Sequence, residues 1–360
     1  MQTKTERIDL MDKIALRKKN KDVIEESEVE MIDFFQDSLN DYDKFEEEAW
    51  KKGQGYIIPS FPIMTELLEG LEAGFYLFAG ESNGGKTAAM LNIIYDVCSH
   101  PENNLVGLYF SLDDSQKEVI PRIIAMNEQI PIGVCSKPQR YQTKIDNSEE
   151  NSITYQEYLE KRQAGLEKLK DNNQMFKIID SNTVNSAEKI YDYIKKFKLY
   201  LKALYPEKNI IVGIDALNDI RFDSKNYSDQ NELNTEISKT VKRWSVEFNI
   251  PIFGSCHLRK LNQNRRPVSD DLKNSSQYRY DASVTWLVYN DVSKNKGAAN
   301  IYYSDENTDD KMPIIELDWD KNKKSSFKGR TYNYFVPNYS HIRECEAEVM
   351  DRYNQLVYSI

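Results

Sequence analysis

The sequence predicts an α/β chain: a central, mostly parallel twisted sheet with helices on both faces. Three observations carry this. Short apolar runs alternate with longer amphipathic segments. The runs are continuous (FYLFA at 75–79, LVGLYFSL at 105–112, NIIVGI at 209–214) and not polar at every second residue, the pattern of strands covered on both faces. The first run breaks into Gly80-Glu81-Ser82-Asn83-Gly84-Gly85-Lys86-Thr87 and then into a helical stretch from Ala88. That is the G-x-x-x-x-G-K-[ST] phosphate loop between a strand and a helix.

Along the chain, residues 1–21 are polar and of mixed charge. A helix is expected over about 23–50, where Ile32, Phe35, Leu39, Tyr42, Phe45 and Ala49 recur at steps of three and four. Its stripe must be buried, either on its own domain or on a neighbouring subunit. Gly53, Gly55, Pro59 and Pro62 mark a break. The expected division is therefore an acidic helical arm at 1–58, an ATPase-type domain at 59–342 and a closing helix at 343–360. Within the middle domain a short helix is expected over 63–71, the loop strand at 75–79 and a second strand at 105–112. Residues 136–152 read as a loop and 155–170 as a charged helix. Further strands fall at 176–180, 209–214, 251–255 and 284–289, with helices carrying Ile190 to Leu204 and Ile237 to Phe248 between them. Asn185 and Glu188 form the expected cap box of the helix that carries Ile190, Ile194, Phe197, Leu201 and Leu204. The last strands, IIELDWD and RTYNYFV, read as an antiparallel add-on at one sheet edge.

Composition narrows the function. The net charge is −10, which argues against a generally basic surface. Residues 22–48 account for all of that excess, with twelve acids against Lys44, and the rest of the chain is close to neutral, so any nucleic-acid contact must come from local basic patches. No stretch is apolar enough to span a membrane, and no signal peptide opens the chain. Cys98, Cys135, Cys256 and Cys345 are scattered without metal-like spacing. A reduced, cytoplasmic protein is expected.

The loop's glycines let backbone N–H groups surround a polyphosphate, and the following helix aims its positive end at the same anion. Lys86 can reach the β/γ-phosphates, and the Thr87 hydroxyl can hold Mg²⁺. Asp215 closes an apolar strand and can complete the Mg²⁺ site from the carboxyl edge of the sheet, where ligands of parallel sheets sit. Asp113 ends another strand, where a carboxylate can deprotonate attacking water; Asp114 competes for that role. His257, just past a strand, can sense the γ-phosphate or be a plain strand-end residue. Arg259, Lys260, Arg265 and Arg266 form a basic segment suited to a phosphate backbone, with no evident base code. Lys321, Lys323, Lys324, Lys328 and Arg330 crowd the late hairpin. They can act as cationic fingers on a neighbouring subunit's nucleotide or as lysines that blunt a sheet edge.

Together these residues resemble the RecA-like motor domain of DnaB-type replicative helicases over about 59–336. ELLEGLEAGFYLFAGESNGGKTAAMLNI is similar to that family's approach to its phosphate loop, YFSLDDSQKEVIPR (with Arg122) to its second strand, and IIVGIDALNDI to its I-V-D-Y-L-Q-L segment. The long block IPIFGSCHLRKLNQNRRPVSDDLKNSSQYRYDASVTWLVYND is the specific part, and DKNKKSSFKGRT resembles the family's K-x-R-x-G hairpin. The resemblance implies a P-loop NTPase using ATP and Mg²⁺, assembled as a homo-oligomeric, hexameric ring on single-stranded DNA, with a primase or loader as partner. It implies Asp113 as catalytic base with Lys86, His257 as sensor, and Lys321, Lys323 and Arg330 as trans fingers. DNA would be gripped by loops including 259–275, with Arg259, Lys260, Arg265, Arg266 and Lys273 as contacts. The sequence departs from the family at Asp113 (Glu), His257 (Gln), the finger lysines and Ser275-Ser276 (Ser-Gly), and it lacks the helical collar domain. The departures leave open a catalytically weakened ATP-binding assembly or loading factor. A recombinase or signalling ATPase of RecA or KaiC type would share the phosphate loop and Asp215 but not the 265–283 block.

Overall fold

The computed structural model describes residues 42–43, 46–47, 55–146, 154–171, 175–259, 261, 265–272, 277–304 and 310–358. The chain divides into Met1–Gln54 and Gly55–Ile360. In the first unit, Tyr42, Asp43, Glu46 and Glu47 are helical, with Tyr42 exposed. Ile32, Phe35, Leu39, Phe45 and Ala49 lie outside the described residues, as do Lys260, Lys273, Ser275 and Ser276.

The second unit opens with α1 (Pro62–Leu67), whose proline sits at the first helical turn, where its missing N–H costs nothing. β1 (Gly74–Gly80) follows, buried at every position. α2 (Lys86–Ser99), β2 (Leu105–Ser111) and α3 (Gln116–Glu128) come next. α3 starts with a Ser115/Glu118 capping box, the Ser115 N–H donating to Glu118 at 2.9 Å. Two short helices, α4 (Ile132–Ser136) and α5 (Pro138–Asp146), precede α6 (Tyr155–Asp171) and β3 (Phe176–Asp180). α5 occupies part of the segment expected to be a loop. Its polar composition hid it, because only two of its residues are apolar.

α7 (Ala187–Leu204) is capped by Ser186, whose hydroxyl accepts from the Lys189 N–H at 3.4 Å. The expected Asn185 cap is thus displaced by one residue. Glu188 turns instead to the N–H groups of Asp223 (2.9 Å) and Ser224 (3.2 Å). β4 (Asn209–Asp215), α8 (Gln230–Glu247), β5 (Pro251–His257), α9 (Gln277–Asp281), β6 (Val284–Asn290) and α10 (Asp291–Asn295) complete the parallel part. The chain ends in β7 (Tyr302–Ser304), β8 (Lys311–Asn322), β9 (Arg330–Val336), β10 (His341–Glu344) and α11 (Ala347–Tyr358). The closing helix was expected from residue 343. It begins four residues later because Ile342 and Arg343 extend the sheet against β9.

The strand order is β10-β9-β8-β6-β1-β5-β4-β2-β3, with β7 paired to β8. β6, β1, β5, β4, β2 and β3 run parallel, and the late strands run antiparallel at one side. One face packs Met90, Ile93, Ile94 and Val97 of α2 onto Tyr76, Phe78, Phe253 and Trp286. The rings of Phe78 and Trp286 stack at 4.7 Å. The other face packs Ile190 and Ile194 of α7 and Val241 and Trp244 of α8 onto Leu77, Val212 and Ile252. Each such aliphatic side chain contributes about 1.5–3 kcal/mol by leaving water, so the sheet that carries the site is anchored from both sides.

Candidate nucleotide-binding and hydrolysis site

Parallel pairing brings four strand ends to one edge. Gly80 of β1 lies opposite His257 of β5, and Ser111 of β2 opposite Asp215 of β4. The chain leaving β2 stays beside β4, where the N–H groups of Leu112 (2.6 Å) and Asp113 (3.3 Å) donate to the Asp215 carbonyl. Lys86, Thr87, Asp113, Asp215 and His257 therefore line one cleft of about 460 Å³, closed on its far side by Phe335, Pro337 and Ser340.

The phosphate loop has the required backbone. Asn83 takes φ 61° and Gly85 takes φ 96°, and Gly85 is the N-cap of α2. A Cβ on Gly85 would meet Ile315 Cδ1 at 2.6 Å, so only glycine fits there. The Lys86 ammonium, 6% exposed, donates to the carbonyls of Gly80 (3.0 Å) and Glu81 (2.9 Å). Burial pulls its pKa down, against the pull of Asp215. An ammonium resting on two loop carbonyls is poised to exchange them for phosphate oxygens.

Asp215 is buried and doubly held: Tyr109 donates its hydroxyl to Oδ2 at 3.0 Å, and Ser255 donates to Oδ1. The two donors fix the orientation of the carboxyl group at the floor of the cleft. Thr87, half-buried at the start of α2, completes an oxygen donor set that fits Mg²⁺. The neighbouring acids Asp113 and Asp114 differ in their surroundings. Arg122 pairs with Asp114 at 2.7 Å, whereas Asp113 is exposed and makes no side-chain hydrogen bond or ion pair among the described residues. His257 is held through its backbone N–H, which donates to Asn218 Oδ1 at 3.0 Å. Burial, then the Lys86 charge, lowers its pKa below that of a free imidazole, against Asp219 and Asp113. Tyr109, Ser255, Asn218 and Asp219 were not singled out from the sequence. They reach the site only through strand pairing and the turn after β4.

The DnaB-like helicase C terminal domain family matches residues 57–339. The chain belongs to that family. A probable replicative DNA helicase of Trieres chinensis is 24% identical over 270 residues, covering 70% of this chain and 52% of the relative. The replicative DNA helicase DnaB of Mycoplasma pneumoniae is 25% identical over 301 residues, covering 74% and 58%. The chain thus spans about half the length of the curated relatives it matches. Among solved structures, one described as an ATPase domain is similar over 85% of this chain and 98% of that one, with a TM-score of 0.67 and 21% identity. A DnaB-like replicative helicase described with its interactions with primase gives a TM-score of 0.66 at 21% identity, over 86% of this chain and 66% of that one. These two likenesses speak to the RecA-like fold expected above.

In this DnaB-like domain the basic segment differs from the uncompensated patch that the sequence suggested. Arg259 and Arg265 converge on Asp271, which is 0% exposed, at 2.9 and 2.6 Å. Arg265 above all holds the Asp271 carboxyl down, to about 2. Arg266 pairs with buried Glu316 through Nε at 2.6 Å and Nη2 at 2.9 Å, with its guanidinium 5.1 Å from the Tyr289 ring centre. These acids lie five or more residues away in sequence, which is why a local charge count missed them. Lys260 and Lys273 lie outside the described residues.

The finger candidates also separate. β8 runs antiparallel to β6, so Lys321 pairs with Thr285 near the start of β6, at the edge of the sheet opposite the phosphate loop. Lys321 donates to the carbonyls of Arg279 (2.5 Å) and Tyr280 (2.8 Å), and burial lowers its pKa to about 8. Arg330 pairs with Asp318 at 2.8 Å. Of the three, Lys321 and Arg330 are held within the protomer and Lys323 is exposed.

Proposed function

We propose that the chain is the motor part of an ATP-dependent DNA helicase or translocase that acts in DNA replication as a hexameric ring on single-stranded DNA. The observation that carries this reading is the convergence of Lys86, Thr87, Asp113, Asp215 and His257 on one cleft, with the lysine hairpin at the opposite edge of the same sheet. A cation at that edge is out of reach of its own phosphate loop. A head-to-tail neighbour brings it to the next cleft, and such heterologous contacts close into rings. Family membership and the replicative helicases among its relatives support the DNA-replication role.

Loop N–H groups and Lys86 bind the β- and γ-phosphates of ATP. Thr87 and Asp215 would hold Mg²⁺, which neutralises charge on the phosphate oxygens. Asp113 takes the proton of the attacking water, and His257 hydrogen-bonds the γ-phosphate end. Phe335, half-buried, adds an aromatic surface to the cleft wall. Lys323 of one protomer contributes charge to the neighbour's transition state. Arg259 and the segment around it contact the DNA backbone. A primase or loader partner fits the family's replicative role.

A second reading is an ATP-binding assembly or loading factor with weak turnover. It is favoured by Asp113, one methylene shorter than the glutamate that the resemblance puts there. The test is ATP turnover with and without single-stranded DNA, alongside the mass in solution with a non-hydrolysable ATP analogue. DNA-stimulated turnover by a ring is expected. A monomer that binds ATP and ignores DNA overturns the motor reading.

A further inference from the structure

We infer that Glu81 is a positioning residue that relays nucleotide occupancy of the phosphate loop to the basic segment at residues 258–272. The inference rests on the motor reading above, and it assigns the route by which ATP would alter the grip on DNA.

Glu81 is engaged at both ends. Its backbone carbonyl accepts the Lys86 ammonium at 2.9 Å. Its side chain binds two other elements: Oε1 accepts the Leu261 N–H at 3.1 Å, and Oε2 accepts from the Lys294 ammonium of α10 at 2.6 Å. Burial opposes ionisation of this carboxyl. Lys294 and the Leu261 N–H outweigh it and hold the pKa below the ordinary glutamate value, so the group is charged at neutral pH.

The far end of the contact is built to carry displacement. Leu261 is 7% exposed, so it is packed, not free-swinging. The segment is closed at its base by an antiparallel bridge between Leu258 and Leu272 and by the Arg259 N–H, which donates to the Asp271 carbonyl at 2.9 Å. Arg259 and Arg265 are tied to the same Asp271 carboxylate. Leu261 lies two residues from Arg259 and four from Arg265, the arginines that face the DNA backbone in the motor reading.

The near end is where a triphosphate acts. Lys86 must leave the carbonyls of Gly80 and Glu81 to reach the phosphates. The Gly80 carbonyl also accepts the Leu258 N–H at 3.2 Å. Both peptides that lose the lysine are thus bonded directly to the basic segment, one through the backbone and one through the Glu81 side chain. Lys294 fixes the carboxylate from the β6 side, so a peptide shift at Glu81 pivots about that ion pair.

The experiment measures binding of a fluorescein-labelled oligothymidylate by anisotropy, with and without a saturating Mg²⁺-loaded non-hydrolysable ATP analogue. The ratio of the two dissociation constants is the coupling factor, typically about 5–150 in coupled systems. The wild-type chain is expected in that range. Glu81→Ala is expected to fall to within about twofold of unity, and Glu81→Gln, which keeps an acceptor for Leu261, to an intermediate value. Lys294→Met is expected to reduce the factor while nucleotide affinity without DNA stays within about twofold of wild type. A wild-type factor in Glu81→Ala overturns the relay. Should that variant fail to fold, an unchanged factor in Lys294→Met overturns it. A wild-type chain that binds no oligothymidylate under either condition overturns the motor reading itself, a result distinct from variants that couple as well as the wild type.

Discussion

Replacing Asp113 by Asn tests the assignment of the catalytic base most directly. The two adjacent carboxylates differ in what holds them. Asp114 is paired with Arg122 at 2.7 Å, and Asp113 is exposed at the cleft with Lys86 and Asp215. Removal of a general base costs about 10²–10⁴-fold in rate. At about 1.36 kcal/mol per tenfold, that is about 2.7–5.4 kcal/mol of transition-state stabilisation. Asp113→Asn is therefore expected to lower DNA-stimulated phosphate release by about that factor with ATP affinity retained. Asp114→Asn loses an ion pair to Arg122 and is expected to cost less than about tenfold, because it removes no group from the reacting water. Asp113→Glu lengthens the carboxylate by about the 1 Å that is worth ~10²-fold in positioning, and a large gain would identify the native enzyme as a weakened catalyst. Phosphate release in Asp113→Asn within about threefold of wild type, or a larger loss in Asp114→Asn, refutes the assignment.

Arg266→Ala leaves the Glu316 carboxylate, 1% exposed, without its cation. It is expected to destabilise the fold by about 3–5 kcal/mol in denaturant melts, and an unchanged melt would mean that Arg266 is free to serve DNA alone. His257 has a folded pKa below 6.5, so it is neutral above that pH and takes up a proton only in more acidic solution. The pH profiles of His257→Gln and the wild type are expected to coincide at pH 7–8 and to part below about 6.5, and a difference confined to alkaline pH contradicts a sensor that works as neutral imidazole. Lys86→Ala keeps its finger and loses its own site, whereas Lys323→Ala keeps its site and loses its finger. Each is expected to be inactive alone, and a co-assembled mixture is expected to recover turnover. A mixture with verified co-assembly and no recovery excludes Lys323 as a trans residue.

Much of the fold was legible because its signals are local. The apolar runs at 75–79, 105–112 and 209–214 became β1, β2 and β4 within a residue or two at each end. The exceptions have a common cause. α5 is too polar to show a stripe, and β10 is four residues long and stabilised by pairing with β9. The cap of α7 fell one residue from its expected place because Glu188, which would have completed the box, is drawn to the turn at Asp223. The site was legible in its contiguous parts and obscure in its partners. Nothing near Asp215 in sequence points to Tyr109 or Ser255, and nothing near Arg266 points to Glu316.

The amino-acid sequence by itself determined the phosphate loop, the acids just past β2 and at the end of β4, and the family. A backbone cradle needs particular residues at fixed short spacing, and such spacing survives in one dimension. Only the tertiary structure decided which of two neighbouring aspartates is open to the cleft, which arginines are already engaged, and which of the late cations are exposed. Those outcomes depend on the strand order and on which carboxylate a folded neighbour brings within about 3 Å. Chain distance carries no information about that.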